Sequence, residues 1–252
     1  MPTASNRPSP RIESGILVTN EQQPSGLKTF FAVYQFVVPL TLFPLAYWLW
    51  WRRLDGDHAV TALILFVPVV FYQLFVMIGV IRLRLWRMNT WPTIRGLRPH
   101  HGFVLGTASA LLIYMTMRMT PVGAGGVAAF LTSAFLGASV FGFWNWWYET
   151  YAIKSGVISI YTKQVAEGAS AEEAVTGYAP VLFGSMGACY GITVRAAEVL
   201  LTRAHSDLTY WSVAVVGGLA MILVPTVIYE ILHRRRYGET SLRSYKDVIE
   251  RP

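Results

Sequence analysis

The chain has 252 residues, 54% of them hydrophobic and only 14% charged, with a formal net charge of +7. A soluble domain averages about a quarter charged residues, so these side chains are too apolar to cover a water-facing surface, and lipid is the expected partner. The basic excess gathers at the ends of apolar segments, where it suits anionic headgroups rather than nucleic acid, and the lone Cys189 excludes a disulfide framework or a zinc spacing.

Residues 1–27 are polar and proline-rich and lack the short apolar core of a signal peptide, so a retained cytosolic tail is expected. A bilayer is crossed by about 20 predominantly apolar residues in a helix, and six such stretches follow, at roughly 28–51, 59–81, 101–119, 122–148, 179–202 and 208–232. The predicted fold is therefore all-α: a polytopic bundle of six transmembrane helices over 28–233, with a basic C-tail over 234–252.

The first two spans carry bulky side chains and the prolines Pro39, Pro44 and Pro68, which free backbone carbonyls and kink helices. They are expected outside the core or lining a cavity. Trp48, Trp50 and Trp51 read as an interfacial aromatic belt, and Asp55, Asp57 and His58 as ordinary loop residues. Residues 82–99 mix Arg with Leu, Trp and Met, which fits a segment lying among headgroups or a charge cluster that only sets topology.

A tight turn, RMTPVGAGG, joins spans three and four. Helices packing in lipid need small residues at their contacts. Span four offers Ala134, Ala138 and Gly142, span five Gly187 and Gly191 beside Gly184 and Ala188, and span six Gly217 and Gly218. Spans four to six should form the tight core. Before span five, Ser170 and Glu173 match a capping box, predicting a short cytosolic helix over about 171–178. His205, between spans five and six, reads as a loop residue.

Lys and Arg set orientation. Arg7, Arg11, Lys28, Arg82, Arg84, Arg87, Arg95, Arg98, Lys154, Lys163, Arg234, Arg235, Arg236, Arg243, Lys246 and Arg251 fall on one side, against Arg52, Arg53, Arg118 and Arg203 on the other. Both termini are expected in the cytoplasm, with the chain in the cell (inner) membrane.

This orientation sorts the polar groups. His100 and His101 begin span three, Asn145 and Glu149 end span four, and Glu230 and His233 end span six, all on the cytoplasmic side. Glu230 and His233 are spaced i, i+3 and can face one way. If these ends meet, they supply the ingredients of a proton-transfer site. A metal at His101, His233, Glu149 and Glu230 is a further option, since imidazole and carboxylate suit iron, zinc or copper. A haem between His101 and His233 is another. Trp144, Trp146, Trp147, Tyr148 and Tyr151 crowd around Glu149, so the carboxyl would be desolvated and suited to act as an acid, with aromatic faces able to steady a developing cation. The same inventory also arises simply because polar and aromatic residues collect at interfaces. In span five, Arg195 and Glu198 form an i, i+3 pair that either locks the bundle or handles an anion.

The segment Asn145–Glu149, NWWYE, resembles over five residues the Asn-x-x-Trp-Glu segment of membrane-embedded meroterpenoid cyclases, with Tyr148 where Trp would stand. The resemblance implies isoprenoid or lipid chemistry.

Two classes of function follow. One is a membrane-embedded enzyme acting on a lipophilic substrate, with Glu149 and Glu230 as acid and base, supported by His101, His233 and Asn145 and by the aromatics Trp144, Trp147 and Tyr148. The other is a non-catalytic subunit or assembly factor partnered with other membrane proteins. A small transporter centred on Arg195 and Glu198 is third. No nucleotide or phosphate-loop motif is present, so no soluble cofactor is implied.

Overall fold

The computed structural model describes residues 12–13, 16–17, 25–201 and 206–250. The predicted N-tail falls largely outside the described residues, as do Arg203 and His205. The chain is all-helical, 76% helix, with two short antiparallel ladders. The first pairs β1 (Ile12–Glu13) with β2 (Ile16–Leu17).

Among the described residues, four helices are long and apolar enough to cross a membrane, and they mark this as a membrane protein. The first is continuous over Gly26–Arg53: α1 (Ser25–Val37) passes through a π-helical turn into α2 (Phe43–Arg53). The second runs from α3 (His58–Met77) through another π turn to Arg82. The others are α5 (Val127–Lys154) and α8 (Asp207–Tyr237). Between them, α4 (His101–Met117) is apolar but only 17 residues long. The 30-residue α7 (Ala171–Leu200) falls outside this set. Its glycines and its charges Glu172, Glu173, Arg195 and Glu198 dilute its apolar character. It sits at the centre of the bundle, where it meets neighbours rather than lipid and needs less of that character.

Local chemistry explains the helix ends. The Asp57 side chain caps α3 by accepting from Val60 N at 2.9 Å, which supplies an orphan first-turn amide with a partner. Ser170 and Glu173 make the predicted capping box. The helix it starts does not stop near residue 178, however. It runs through Pro180 to Leu200, so the expected separate cytosolic helix is the first turns of α7. The basic run Arg234–Arg236 closes α8 where the helix dipole favours cations, and Gly238 terminates it at φ 72°.

The packing follows small residues. α5 and α7 form the most extensive helix pair, with α8 against α7 and α3 against α4. A Cβ on Gly137 would collide with the Gly187 carbonyl, and one on Gly187 with the Gly137 carbonyl. The tightest row on α5 is thus Ser133 and Gly137, one residue from the expected Ala134–Ala138–Gly142 stripe, which lies alongside. Trp50 also departs from expectation. It is fully buried and donates Nε1 to Ala110 O at 3.0 Å, so only Trp48 of the three tryptophans is largely exposed.

At the opposite end from the α2–α3 turn, β3 (Trp86–Met88) pairs with β4 (Ile158–Ile160). Residues 82–99 are thus partly a strand, held in place by the segment after α5. The short α6 (Lys163–Ala166) follows β4. The residues after α8 are not a loose tail. They fold back, with Tyr245 N donating to Tyr161 O at 2.9 Å and Ser244 Oγ to Arg84 O at 2.6 Å, and end in α9 (Lys246–Ile249), where Ile249 is buried.

Candidate functional site

α4, α5, α7 and α8 converge beneath the β3–β4 ladder and the returning C-terminal segment. Together they enclose a cavity of about 310 Å³. Its walls are mainly apolar, from Phe75 and Val76 on α3 to Ile222 and Leu223 on α8. On the helix side the polar side chains are His101 from α4, Asn145 and Glu149 from α5, Tyr178 from α7, and Thr226 and His233 from α8, with the Tyr148 and Tyr229 phenols beside them; Thr162, Lys163, Ser241, Arg243 and Tyr245 line the end under the ladder and the returning segment. A mostly apolar hollow with a handful of convergent polar groups is the usual form of a small-molecule site.

Each polar group has a defined setting. Tyr178 donates its hydroxyl to Glu149 Oε2. Asn145 donates Nδ2 to Phe141 O, one turn back, at 3.0 Å. His233 Nδ1 lies 3.1 Å from Glu239 O. A carbonyl only accepts, so Nδ1 carries a proton in this contact, and in the neutral ring Nε2 is then an acceptor. His101 is 3% exposed, and its Nδ1 has no hydrogen-bond partner among the described residues. A buried polar atom in that condition costs about 1–3 kcal/mol.

Glu149, Asn145, His101, His233 and Tyr148 therefore share one cavity. Glu230 does not join them. Its carboxylate accepts from Ser241 N at 2.7 Å and Ser241 Oγ at 2.6 Å, and pairs with Arg234. These charge-assisted bonds turn it toward the folded-back segment, where it acts as a tie. Trp144 and Trp147 pack against each other at a tilt, 5.6 Å between ring centres, as do Trp147 and Tyr151. Trp144 instead lines a small neighbouring void with Tyr34 and Ser109, so of the aromatic cluster only Tyr148 faces the cavity beside Glu149. Among the described residues, no group of three or more His, Cys, Asp and Glu side chains is placed to hold a metal ion.

Two contributors escape a reading of the sequence. Tyr178 pairs with Glu149 across 29 positions, and nothing in its neighbourhood, TGYAP, announces it. Arg98 is fully buried behind the cavity and donates Nη2 to Thr90 Oγ1 at 2.6 Å. Burial holds its guanidinium below the ordinary arginine range, and the nearby Tyr148 works in the other direction.

Arg195 and Glu198 lie elsewhere, toward the α2–α3 end. Both are essentially unexposed, at 1% and 0%. Arg195 donates Nη1 to Glu198 Oε2 at 2.6 Å and to Pro121 O at 2.9 Å, Nη2 to Thr120 Oγ1 at 2.7 Å, and Nε to Ser133 Oγ at 3.1 Å. Arg53, whose part the sequence did not disclose, donates Nε to Glu198 Oε1 at 2.9 Å and Nη2 to Thr120 O at 3.0 Å. The pair is a knot joining α2, the α4–α5 turn, α5 and α7.

Comparison with known protein families, curated proteins and solved structures finds no match for this chain.

Proposed function

We propose that this protein is a membrane-embedded enzyme that acts on a lipophilic substrate, of lipid or isoprenoid class, held in the cavity beneath the β3–β4 ladder. The observation that carries the reading is the meeting of Glu149, Tyr178, His101 and His233 in one apolar hollow. Glu149, whose Oε2 accepts from Tyr178, is in its protonated form the proton donor, through Oε1. His233, with its proton fixed on Nδ1, offers Nε2 to take a proton up. Positioned acid–base pairs of this kind contribute about 10²–10⁴-fold to rate. The faces of Tyr148 and Tyr229 suit a cationic centre developing on a hydrocarbon. The NWWYE resemblance favours the same substrate class.

The proposed setting is six crossings, with α4 and α7 completing the set of four long apolar helices, in the cell (inner) membrane with both termini cytoplasmic. The cavity then opens toward the cytoplasmic leaflet, from which a lipid can enter sideways.

The test is native mass spectrometry of the full chain purified in mild detergent. A retained lipophile in the wild type that is lost or bound unchanged in mass in Glu149→Gln supports the reading. An empty cavity in a chain that co-purifies at fixed stoichiometry with another membrane protein would replace it with a subunit role.

A further inference from the structure

A second cavity, of about 470 Å³, lies on the other side of Trp86. Four cations line it: Arg84, Arg87 and Arg95 from the segment between α3 and α4, and Lys246 from α9. The acid beside them is Glu250, 3.1 Å from Arg87 Nη1 and 3.7 Å from Lys246 Nζ, and it also accepts from the Tyr161 hydroxyl at 2.6 Å. Arg84 and Arg95 form no ion pair among the described residues. Both are exposed, and both hold positive φ, 54° and 53°. At Arg95 that backbone, shared with Gly96, makes the two-residue turn that closes the Ile94–Leu97 bridge, and the turn sets the arginine at the rim of the hollow.

Like charges gathered in a concave site raise the local concentration of anions, and guanidinium forks match phosphate oxygens in pairs. The remaining wall is apolar. Val80 and Ile81, at the end of the second apolar helix, border the same hollow, and Ile81 is exposed. A group that is anionic at one end and hydrocarbon at the other meets both halves.

We propose that Arg84, Arg87, Arg95 and Lys246 form a binding site for a phosphate group, carried on the headgroup of an anionic lipid. The site shares Trp86 with the cavity of Glu149 and does not rest on the function proposed there.

The test is thermal unfolding of the full chain in neutral detergent, titrated separately with phosphatidylglycerol, phosphatidylcholine and inorganic phosphate. Phosphatidylglycerol is expected to raise the melting temperature in a saturable way and phosphatidylcholine to leave it unchanged, because the cations repel choline. Arg84→Gln/Arg95→Gln should weaken the phosphatidylglycerol response by about tenfold or more, the loss expected for charge-assisted bonds. Arg235→Gln, exposed on α8 and outside the cavity, should not. Should the double variant fail to fold, Lys246→Gln alone carries the test with the same direction. An equal response to inorganic phosphate, lost in the variants, keeps the phosphate site and assigns it a soluble ligand. Equal responses of wild type and variants to phosphatidylglycerol, or no preference for it over phosphatidylcholine, would overturn the proposal.

Discussion

Tyr178 on α7 gives its hydroxyl hydrogen to the Glu149 carboxylate on α5, joining the two most tightly packed helices at the polar wall of the cavity. Tyr178→Phe removes the donor and leaves the carboxylate to find another. The expected cost is about 1–3 kcal/mol, read as a drop of several degrees in the melting temperature in detergent. Glu149→Gln keeps a hydrogen-bonding group of the same size and should melt closer to wild type while losing the function of the site. If Tyr178→Phe lost neither stability nor the bound lipophile, the pair would have no part in either.

The Arg195–Glu198–Arg53 knot makes an opposite prediction. Breaking a buried ion pair by removing one partner costs about 3–5 kcal/mol, so Glu198→Gln and Arg195→Met should each destabilise the chain severely. Their double variant should be less destabilised than the sum of the two. Ligand retention by the surviving folded fraction should match wild type. A transport role would show instead as near-normal melting with altered ion flux in liposomes.

Gly137→Val drives a side chain into the Gly187 carbonyl and should separate α5 from α7. Overpacking of this kind typically costs 1–3 kcal/mol or more, because the obstacle is backbone. Gly125, in the α4–α5 turn, has nothing within 4 Å of an added Cβ, so Gly125→Ala should be neutral. Yield and size-exclusion profile of the two variants decide it.

The folded-back segment is clasped at Glu239, which accepts from the Tyr245 hydroxyl and pairs with Lys163 at 3.0 Å and Arg243 at 3.3 Å. These partners, the Tyr245 hydroxyl first, hold the carboxylate below its ordinary range. A depressed carboxylate contributes fully above the unfolded value, about 4.3, and the contribution disappears as pH falls through the lower folded value. Hydrogen exchange at the Tyr245 amide, corrected for intrinsic rate, should be flat from neutral pH down to about 5 and rise below about 4. Loosening near neutrality would rule Glu239 out as the clasp.

The orientation is open to a direct measurement. With Cys189→Ala as background, single cysteines in place of Asp55 and Glu167 should react with a membrane-impermeant maleimide from opposite sides of the membrane in intact cells. The cysteine at 55 should label from outside, and that at 167 only after lysis.

Much of this architecture is readable from residue patterns because hydropathy depends on composition alone. The apolar helices follow from it, the Ser170–Glu173 cap follows from residue spacing, and ordering the spans sets His101, Glu149 and His233 at one level while leaving their meeting to the packing. What patterns could not provide was partnership. Glu230 looks like a site residue until Ser241 claims it, Trp50 looks interfacial until the Ala110 carbonyl takes its indole hydrogen, and Tyr178 carries no local signal of Glu149. The predicted break near residue 178 failed because Gly177 and Pro180 weaken a helix in isolation, whereas here neighbouring helices hold it.

The charges on α7 have a consequence for how the chain is made. An arginine and a glutamate in the last two turns of α7 still meet lipid unfavourably, at up to about 2.5–3.5 kcal/mol for a charge at a helix centre on insertion scales, so α7 is the segment least able to leave the translocon alone. Arg53, Thr120, Pro121 and Ser133, which take up those charges, all precede it in the chain. The receptor for α7 has been synthesised before α7 emerges, and the order of synthesis supplies the polar docking place that the bilayer does not.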